Sequence, residues 1–368
     1  MIWRWTPLVL LWALFMAGRS SAAPAETAAI EDLAWHEVTA AVVEGKGWSD
    51  TGQPFDRLPA RAQQIVRPPV WELSRDSAGL YVDFETEAAN ISVRWTLNTE
   101  QLAMPHMPAT GVSGVDLYAR RGGRWHFLAN GRPECYPINE VVIVEGLKPG
   151  AGEYRLYFPL YNGVTEMEIG VAADAAFRFA KQRGAQIKPV VVYGTSITQG
   201  GCASRPGMSY PAILGRRLNV PVINLGFSGN GKAEPEMARL LAELDPAALV
   251  LDAVPNLYAQ QVGERMPEFI EILRARQPEV PILLVESPIF PDSLFVAERA
   301  ERVAQSNQWL RKVYQDRIAG GDRRLTIIPA CDQTAEGGEA TVDSLHPTDL
   351  GFLQMADSIE PYLRRALD

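Results

Sequence analysis

The sequence predicts an α/β protein in which a three-layer, doubly wound parallel sheet follows an N-terminal β-sandwich. Up to about residue 182 the apolar runs are short and alternate with polar residues, which is typical of strands with one buried face. From residue 187 onward the apolar runs are continuous and helical patterns separate them, which is typical of parallel strands buried on both faces. We therefore expect a sandwich domain over residues 30–182 and a second domain over residues 187–368.

Alternating segments separated by turns rich in Gly and Pro predict the sandwich strands, at residues 80–85, 91–97, 115–119, 125–128, 140–144, 153–158 and 167–171. Continuous apolar segments predict the parallel strands, at residues 190–193, 222–225, 248–251, 282–285 and 325–328. Helical patterns lie at 236–244, 263–277 and 297–318, and a final helix is expected from Pro347. Ligands bind at the carboxyl ends of the strands in such sheets, so functional residues should lie there.

Composition and charge exclude several classes of protein. The chain has 368 residues, of which 47% are hydrophobic and 21% charged, so it can bury a sizeable core and is not wholly disordered. Its formal net charge of −9 and the lack of a long Lys/Arg run argue against a nucleic-acid partner or an anionic membrane surface. The cysteines Cys135, Cys202 and Cys331 are too few for a disulfide scaffold. A bridge from Cys202 to either of the others and a buried free Cys202 thiol both fit the sequence.

Residues 1–25 have the pattern of a secretory signal peptide. Arg4 precedes an apolar stretch that ends at Arg19, and small residues follow as far as Ala25. The stretch is shorter than the roughly 20 residues of a membrane-spanning helix, although an uncleaved anchor is the alternative. We expect a secreted or periplasmic protein, with no stable membrane insertion after the signal peptide has been cleaved.

Three residues of the second domain suggest nucleophilic catalysis. Ser196 follows the first predicted parallel strand between glycines, where its hydroxyl can face solvent; an ordinary turn serine is the alternative. His346 is the only histidine of this domain, so a base for Ser196 from the same domain must be His346. Asp343 can accept the N–H of that imidazole and fix its tautomer. A histidine that caps or packs near a helix start is the alternative for this motif.

Two further strand ends carry groups that can bind an oxyanion. Glycines after the second parallel strand, Gly229 among them, let backbone N–H groups approach a bound oxygen closely. Asn256 follows the third parallel strand and can donate to the same oxygen through its side-chain amide. Each signal is weak alone, because Gly and Asn are common in turns.

A rival interpretation concerns residues 226–233, which nearly match the phosphate-binding loop G-x-x-x-x-G-K-[ST] between a strand and a helix. Asp252, at the end of the next strand, would then supply an acid for a metal. We do not favour it, since Ala233 lacks the hydroxyl that binds Mg²⁺ in that motif. The sequence contains no H-x-H, H-E-x-x-H or C-x-x-C spacing, and neither a cofactor nor a metal is expected.

Taken in order, these motifs resemble the conserved blocks of the SGNH (GDSL-type) hydrolases, which are esterases and acyltransferases on a flavodoxin-like sheet. The matching segments are Gly194-Thr-Ser-Ile-Thr198, Gly229, Asn256 and Asp343-x-x-His346, and Gly114-Val-Asp-Leu-Tyr118 resembles the GxDLY signature of a two-domain branch. The resemblance implies that Ser196 is the nucleophile, His346 the general base and Asp343 its orienting partner. It implies that the oxyanion donors are the backbone N–H groups of Ser196 and Gly229 and the amide of Asn256.

Two departures from the family pattern concern residues beside these blocks. Thr195 stands where the family name implies Asp, and Val254-Pro255 precede Asn256 where many members have Gly-x-Asn-Asp.

Two residues of the sandwich domain are expected to be structural. Asp116 of the GxDLY segment should make a structural hydrogen bond. His106 should be packed or exposed, unless the sandwich leans over the sheet edge and His106 lines the cleft.

Together these observations predict a secreted serine esterase that hydrolyses short-chain esters, acetyl above all, through an acyl-enzyme. Export and the appended sandwich suggest a small-molecule or O-acetylated glycan ester as substrate, by analogy with the family. An acyltransferase that uses the same residues and a non-catalytic carbohydrate-binding protein are the alternatives. The sequence leaves the oligomeric state open.

Overall fold

The change of sequence pattern near residue 182 corresponds to a change from antiparallel to parallel strands. The computed structural model describes residues 32–183, 186–330 and 338–368, so the predicted signal peptide and Cys331 lie outside the described residues. The antiparallel strands are β1 (Leu33–Glu37), β2 (Val43–Glu44), β3 (Tyr81–Thr86), β4 (Ile91–Leu97), β5 (Val115–Arg121), β6 (Arg124–Gly131), β7 (Ile138–Val144), β8 (Gly152–Tyr157), β9 (Val164–Ala172) and β10 (Phe177–Phe179).

These strands form two antiparallel sheets, in the orders β1-β9-β4-β7 and β10-β3-β8-β5-β6, with β2 paired to β3. Alternate residues of each strand point into a shared core, as the period-two pattern requires. Trp95 of β4 and Ile169 of β9 pack there with Leu156 of β8, and all three are fully buried. The predicted sandwich is therefore confirmed.

Five parallel strands follow: β11 (Val190–Gly194), β12 (Val222–Gly226), β13 (Ala248–Asp252), β14 (Ile282–Val285) and β15 (Leu325–Ile328). Their order, β12-β11-β13-β14-β15, is that of a flavodoxin-like doubly wound sheet, as predicted.

The helices are α1 (Pro68–Ser74), α2 (Ala109–Val112), α3 (Ser196–Gln199), α4 (Tyr210–Leu218), α5 (Pro235–Leu241), α6 (Ala259–Arg276), α7 (Ala297–Ala319) and α8 (Asp349–Leu367). The final helix thus begins two residues later than predicted, after Thr348.

Helices cover both faces of the parallel sheet, which explains why its strands are apolar throughout. On one face α5, α6 and α7 pack against residues such as Tyr193, whose ring stacks on Phe269 of α6 at a centroid distance of 5.2 Å. On the other face α4 and α8 pack against residues such as Val192. None of the helices described combines the length and the apolar character needed to cross a membrane.

The sandwich and the α/β region share buried surface. Residues Leu33–Asp368 form one compact unit, and the segment between β2 and β3 packs into the core beside α5. Leu58, Val70 and Trp71 of that segment are buried there with Met237. The boundary near residue 182 stays a prediction, because side chains from before it complete the α/β core.

Asp116 of the GxDLY segment connects β5 to the chain that follows α3. Its carboxylate accepts hydrogen bonds from the Arg205 guanidinium at 2.8 Å and from the backbone N–H of Gly207 at 2.9 Å. Burial raises the pKa of Asp116 to about 6, although Arg205 opposes that shift. Asp116 therefore has a structural role, as expected.

Candidate active site

Ser196 lies at the junction between β11 and α3, where a capping box fixes the turn. Thr195 is the N-cap residue, and its hydroxyl oxygen accepts from the backbone N–H of Ile197 at 3.2 Å. In return, the Thr198 hydroxyl oxygen accepts from the backbone N–H of Thr195 at 3.2 Å. Threonine therefore satisfies the helix start at the position where the family name implies Asp, and the turn holds Ser196 at the carboxyl end of β11.

A continuous hydrogen-bond chain joins Ser196, His346 and Asp343. The Ser196 Oγ lies 2.9 Å from His346 Nε2, and His346 Nδ1 lies 2.8 Å from Asp343 Oδ2. The other carboxylate oxygen of Asp343 accepts from the backbone N–H groups of Leu345, at 3.1 Å, and His346, at 2.8 Å. Asp343 thus fixes both the backbone and the ring of the histidine, although the serine lies 150 residues away in sequence.

The environment keeps Asp343 ionised. Partial burial raises the pKa of its carboxyl, but the hydrogen bonds from the backbone and the imidazole of His346 outweigh burial and lower the pKa below its usual value. A carboxylate held in this state can accept the imidazole N–H and stabilise an imidazolium.

The two other predicted oxyanion donors lie on the loops beside Ser196. Strand β11 pairs with β12 on one side and with β13 on the other, so the loop carrying Gly229 and the turn carrying Asn256 flank the serine. Gly229 has a φ of 65°, and a side chain there would meet open space. Val254, Pro255 and Asn256 form a short 3₁₀ turn, in which the Asn256 amide donates to the carbonyl of Gly231 at 3.3 Å.

The remaining glycines of this loop allow close packing. A Cβ on Gly231 would lie 1.8 Å from the carbonyl oxygen of Gly194, and one on Gly226 would lie 2.1 Å from the backbone nitrogen of Gln199. Both positions therefore bring the loop after β12 against the turn that carries Ser196. This packing accounts for the near match of residues 226–233 to a phosphate-binding loop.

Alanine substitutions at Gly229 and Gly231 test whether the first glycine is needed only for its backbone conformation and the second for close packing. We expect Gly229→Ala to fold and to lose about 1 kcal/mol of stability, because only its positive φ disfavours a side chain. Gly231→Ala should lower the free energy of unfolding considerably more, because its Cβ meets main-chain atoms that cannot move aside. Urea unfolding of the two variants measures the difference, and equal midpoints would contradict the packing account.

The sequence analysis did not identify the side chains that hold the loop between β12 and Gly229. Arg57, which is fully buried, donates to the carbonyls of Asn224, at 3.2 Å, and Gly226, at 2.8 Å. Gln199 accepts from the backbone N–H of Ser228 at 3.0 Å and donates to Asp76 at 2.8 Å. Arg57 and Asp76 thus help to hold the loop that leads to Gly229, although both precede β3.

Asp252, at the end of β13, supports the same region. Its carboxylate accepts from the hydroxyls of Thr198, at 2.9 Å, and Tyr210, at 2.8 Å. Burial raises its pKa to about 7, although these two hydrogen bonds oppose the shift. Asp252 therefore links α3 to α4 through hydrogen bonds to one side chain of each.

The raised pKa of Asp252 predicts how stability depends on pH. Because the folded protein holds this proton more tightly than the unfolded chain, stability from this group is fully present below pH 3.8 and is lost as pH rises toward about 7. Asp252→Asn should remove this loss, which amounts to a few kcal/mol. We expect the variant to gain stability relative to the wild type between pH 5 and pH 8 in urea unfolding. Burial also raises the pKa of Asp76 to about 7, but Asp76 is present in both proteins, so its effect cancels in the comparison. A stability difference between the two proteins that stays constant from pH 5 to pH 8 would contradict the assignment.

Residues from the first half of the chain form a wall of the cleft beside His346. The cleft has a volume of about 590 Å³. The ring centroid of His106 lies 5.8 Å from that of His346, so His106 lines the cleft, which was the less favoured expectation. The apolar lining consists of Pro68, Pro69, Leu73, Met104, Met107 and Tyr161.

A doubly wound sheet that presents hydrogen-bonded Ser, His and Asp side chains at its carboxyl edge is an arrangement typical of serine hydrolases. Family models agree with it. The model of the GDSL-like Lipase/Acylhydrolase family matches residues 187–364, and the model described as the N-terminus of Esterase_SGNH_hydro-type matches residues 33–177. The chain belongs to this SGNH-type family of carboxylic ester hydrolases.

One solved structure supports the same assignment, and two more distant ones share the fold. A protein from Bacteroides ovatus ATCC 8483 assigned as a GDSL-like lipase is 32% identical, with a TM-score of 0.86, over 91% of this chain and 98% of its own. A salicylyl-acyltransferase from a tetracycline biosynthetic pathway is 19% identical, with a TM-score of 0.70, over 90% of this chain and 97% of its own. A family two carbohydrate esterase from Cellvibrio japonicus is 12% identical, with a TM-score of 0.58, over 91% of this chain and 99% of its own. No curated protein gives a significant match.

Proposed function

We propose that this protein is a secreted or periplasmic serine esterase in which Ser196 is the nucleophile, His346 the general base and Asp343 the orienting partner. The hydrogen-bond chain from the Ser196 hydroxyl through the imidazole to the carboxylate carries the proposal. Export rests on the pattern of residues 1–25 alone.

The chain of contacts defines each step. His346 Nε2 takes the proton of the Ser196 hydroxyl as the serine oxygen attacks the ester carbonyl, and Asp343 stabilises the imidazolium that forms. The N–H groups of Ser196 and Gly229 and the amide of Asn256 donate to the oxyanion. The imidazolium then protonates the leaving alcohol. Water attacks the acyl-serine with the same histidine as base, which releases the acid and restores the serine.

For the substrate we propose a short-chain ester, acetyl above all, carried on a small molecule or a carbohydrate. The apolar lining of the cleft suits the uncharged acyl part of an ester, and the exposed side of His106 leaves space at the mouth for a larger alcohol part. A carbohydrate esterase of the same fold from Clostridium thermocellum has been solved with cellohexaose, which supports a glycan as the alcohol part.

An acyltransferase is the second candidate. The specific observation in its favour is the apolar wall that Leu73, Met104 and Met107 place beside His346, since it can seat an acceptor other than water. The first chemical step is the same, and only the attacking group of the second step differs.

A series of p-nitrophenyl esters of increasing acyl length, with and without an acceptor alcohol, tests these candidates. We expect fastest turnover for acetate, with free acid as the product. Transfer of the acyl group to the alcohol would instead indicate an acyltransferase. No turnover by a folded protein that binds glycans would favour the carbohydrate-binding alternative and overturn the proposal.

Removal of the Asn256 amide tests the oxyanion assignment. We expect Asn256→Ala to lower kcat by about 10²–10³-fold, since one oxyanion donor typically contributes that much, and to change KM little. Initial rates with p-nitrophenyl acetate measure both constants. Asn256→Asp is the matched control: it keeps the side-chain volume and places a carboxylate near the oxyanion, so it should be at least as slow. A rate within threefold of wild type for either variant would remove Asn256 from the mechanism.

A further inference from the structure

Three side chains with metal-ligand chemistry meet beside the proposed triad. Ligand atoms of His106, Cys202 and His346 all lie within 4.8 Å of one another. His106 comes from the loop between β4 and α2, Cys202 from the segment after α3, and His346 from the loop before α8. Nothing in the esterase mechanism uses His106 or Cys202, so their convergence on the general base needs another explanation.

The donor set has a definite preference among metal ions. One thiolate and two imidazoles suit soft or borderline divalent cations such as Zn²⁺, and hard cations such as Mg²⁺ prefer oxygen ligands. Zn–S bonds of about 2.3 Å and Zn–N bonds of about 2.0–2.1 Å place the ligand atoms of a tetrahedral site about 3.3–3.6 Å apart. With all three atoms within 4.8 Å of one another, the most distant pair needs to approach by about 1 Å at most to reach about 3.6 Å. His106 is exposed, so its side chain is free to move toward the other two ligands.

The surroundings of Cys202 suit a cation as well. Cys202 is buried, has a φ of 70°, and forms no disulfide within the part of the chain that the structure describes; the same holds for Cys135. A cation bound there would replace the thiol proton, which passes to solvent, and would offset the negative charges of the thiolate and of the nearby Asp343 carboxylate.

We propose that His106, Cys202 and a ring nitrogen of His346 form an inhibitory site for Zn²⁺ or a similar soft divalent cation. Each of the two ring nitrogens of His346 has a function: Nε2 faces the Ser196 hydroxyl and Nδ1 faces Asp343. A metal on Nε2 occupies the lone pair that would take the serine proton. A metal on Nδ1 displaces the carboxylate that orients the ring. Either mode stops the enzyme, and the inhibitory part of this proposal rests on the proposed function.

Metal binding is measured first without activity. Co²⁺ titrated into the purified protein should give the near-ultraviolet charge-transfer absorption of a cobalt–thiolate bond, and ZnCl₂ should displace it. Ser196→Ala, which cannot act as an esterase under our proposal, should give the same band. Cys202→Ala should abolish the band, and His106→Ala should weaken Co²⁺ binding at least tenfold. His106 is exposed, so the His106→Ala variant keeps the test decisive if Cys202→Ala does not fold.

Inhibition is then measured with p-nitrophenyl acetate. ZnCl₂ should inhibit the wild type and EDTA should restore it, with no effect of MgCl₂ at the same concentration. Relative to the metal-free rate of each variant, the half-inhibitory Zn²⁺ concentration should rise at least tenfold in His106→Ala and in Cys202→Ala. A missing cobalt–thiolate band, or unchanged Zn²⁺ inhibition in both variants, would overturn the site. A normal band in a protein without esterase activity would instead overturn the proposed function.

Discussion

Ser196→Ala is expected to lower kcat by about 10⁴-fold or more, because it removes the hydroxyl that would attack the ester carbonyl with the help of His346. The Ser196 oxygen lies 2.9 Å from the His346 nitrogen that would take its proton. The remaining activity would come from the oxyanion donors and from binding of the substrate. Rates with p-nitrophenyl acetate measure the loss, and the thermal unfolding midpoint should stay close to that of the wild type.

The matched control for this variant is Ser49→Ala, which removes the same atom from an exposed serine of the sandwich region. It should keep the wild-type rate. A fluorophosphonate label followed by peptide mapping gives an independent result, and the adduct should lie on Ser196 and be absent from Ser196→Ala. An adduct on any other residue, or turnover that survives the substitution, would end the mechanism proposed above.

The architecture and the meeting of Ser196 with His346 could be predicted because both follow from local patterns. Continuous apolar runs identify strands buried on both faces, and the residues just after such strands share one edge of the sheet. Ser196 and Asn256 follow β11 and β13 directly, so predicting the strands placed them near each other. His346 follows no strand; it was selected as the one histidine of its domain and by its spacing from Asp343.

The supports of the site could not be predicted, because their roles depend on contacts that have no local signature. Arg57 stands beside Asp56 in a short, irregular segment, and nothing there indicates a buried guanidinium. Its partners are the main-chain carbonyls of Leu73 and Asp76 and two carbonyls on β12, one of them that of Gly226, which lies 169 residues further along the chain. Such burial follows from how the segment before β3 packs on the parallel sheet, and that packing is a property of the whole fold.

His106 illustrates the same limit in the cleft. The sequence shows a histidine between Pro105 and Met107, which fits an exposed loop as well as a binding site. Whether it meets His346 depends on how the sandwich sits over the sheet edge, and the contacts that fix this, such as that between Asp116 and Arg205, are long-range. The residues proposed to carry the chemistry therefore have sequence signals, whereas the residues that shape the cleft have almost none.

The second large effect on kcat is expected from Asp343→Asn, which should lower it by about 10⁴-fold and leave the fold unchanged. The asparagine oxygen can still accept from the backbone N–H groups of Leu345 and His346, which Asp343 Oδ1 does now at 3.1 and 2.8 Å. Its amide nitrogen then faces His346 Nδ1 as a donor, so that nitrogen must accept and the proton moves to Nε2.

A protonated Nε2 points its hydrogen at the Ser196 hydroxyl and has no lone pair to take the proton of that hydroxyl. The loss should therefore appear in kcat, with KM for p-nitrophenyl acetate nearly unchanged, because the carboxylate lies behind the ring and not in the cleft. Since hydrogen bonds from His346 hold the pKa of Asp343 below its usual value, the wild-type carboxylate is ionised at neutral pH, and the defect should be present there. His346→Ala is the companion variant and should be at least as slow. If Asp343→Asn kept more than a tenth of the wild-type kcat, another group would have to orient the imidazole, and the chain of hydrogen bonds would be structural instead of catalytic.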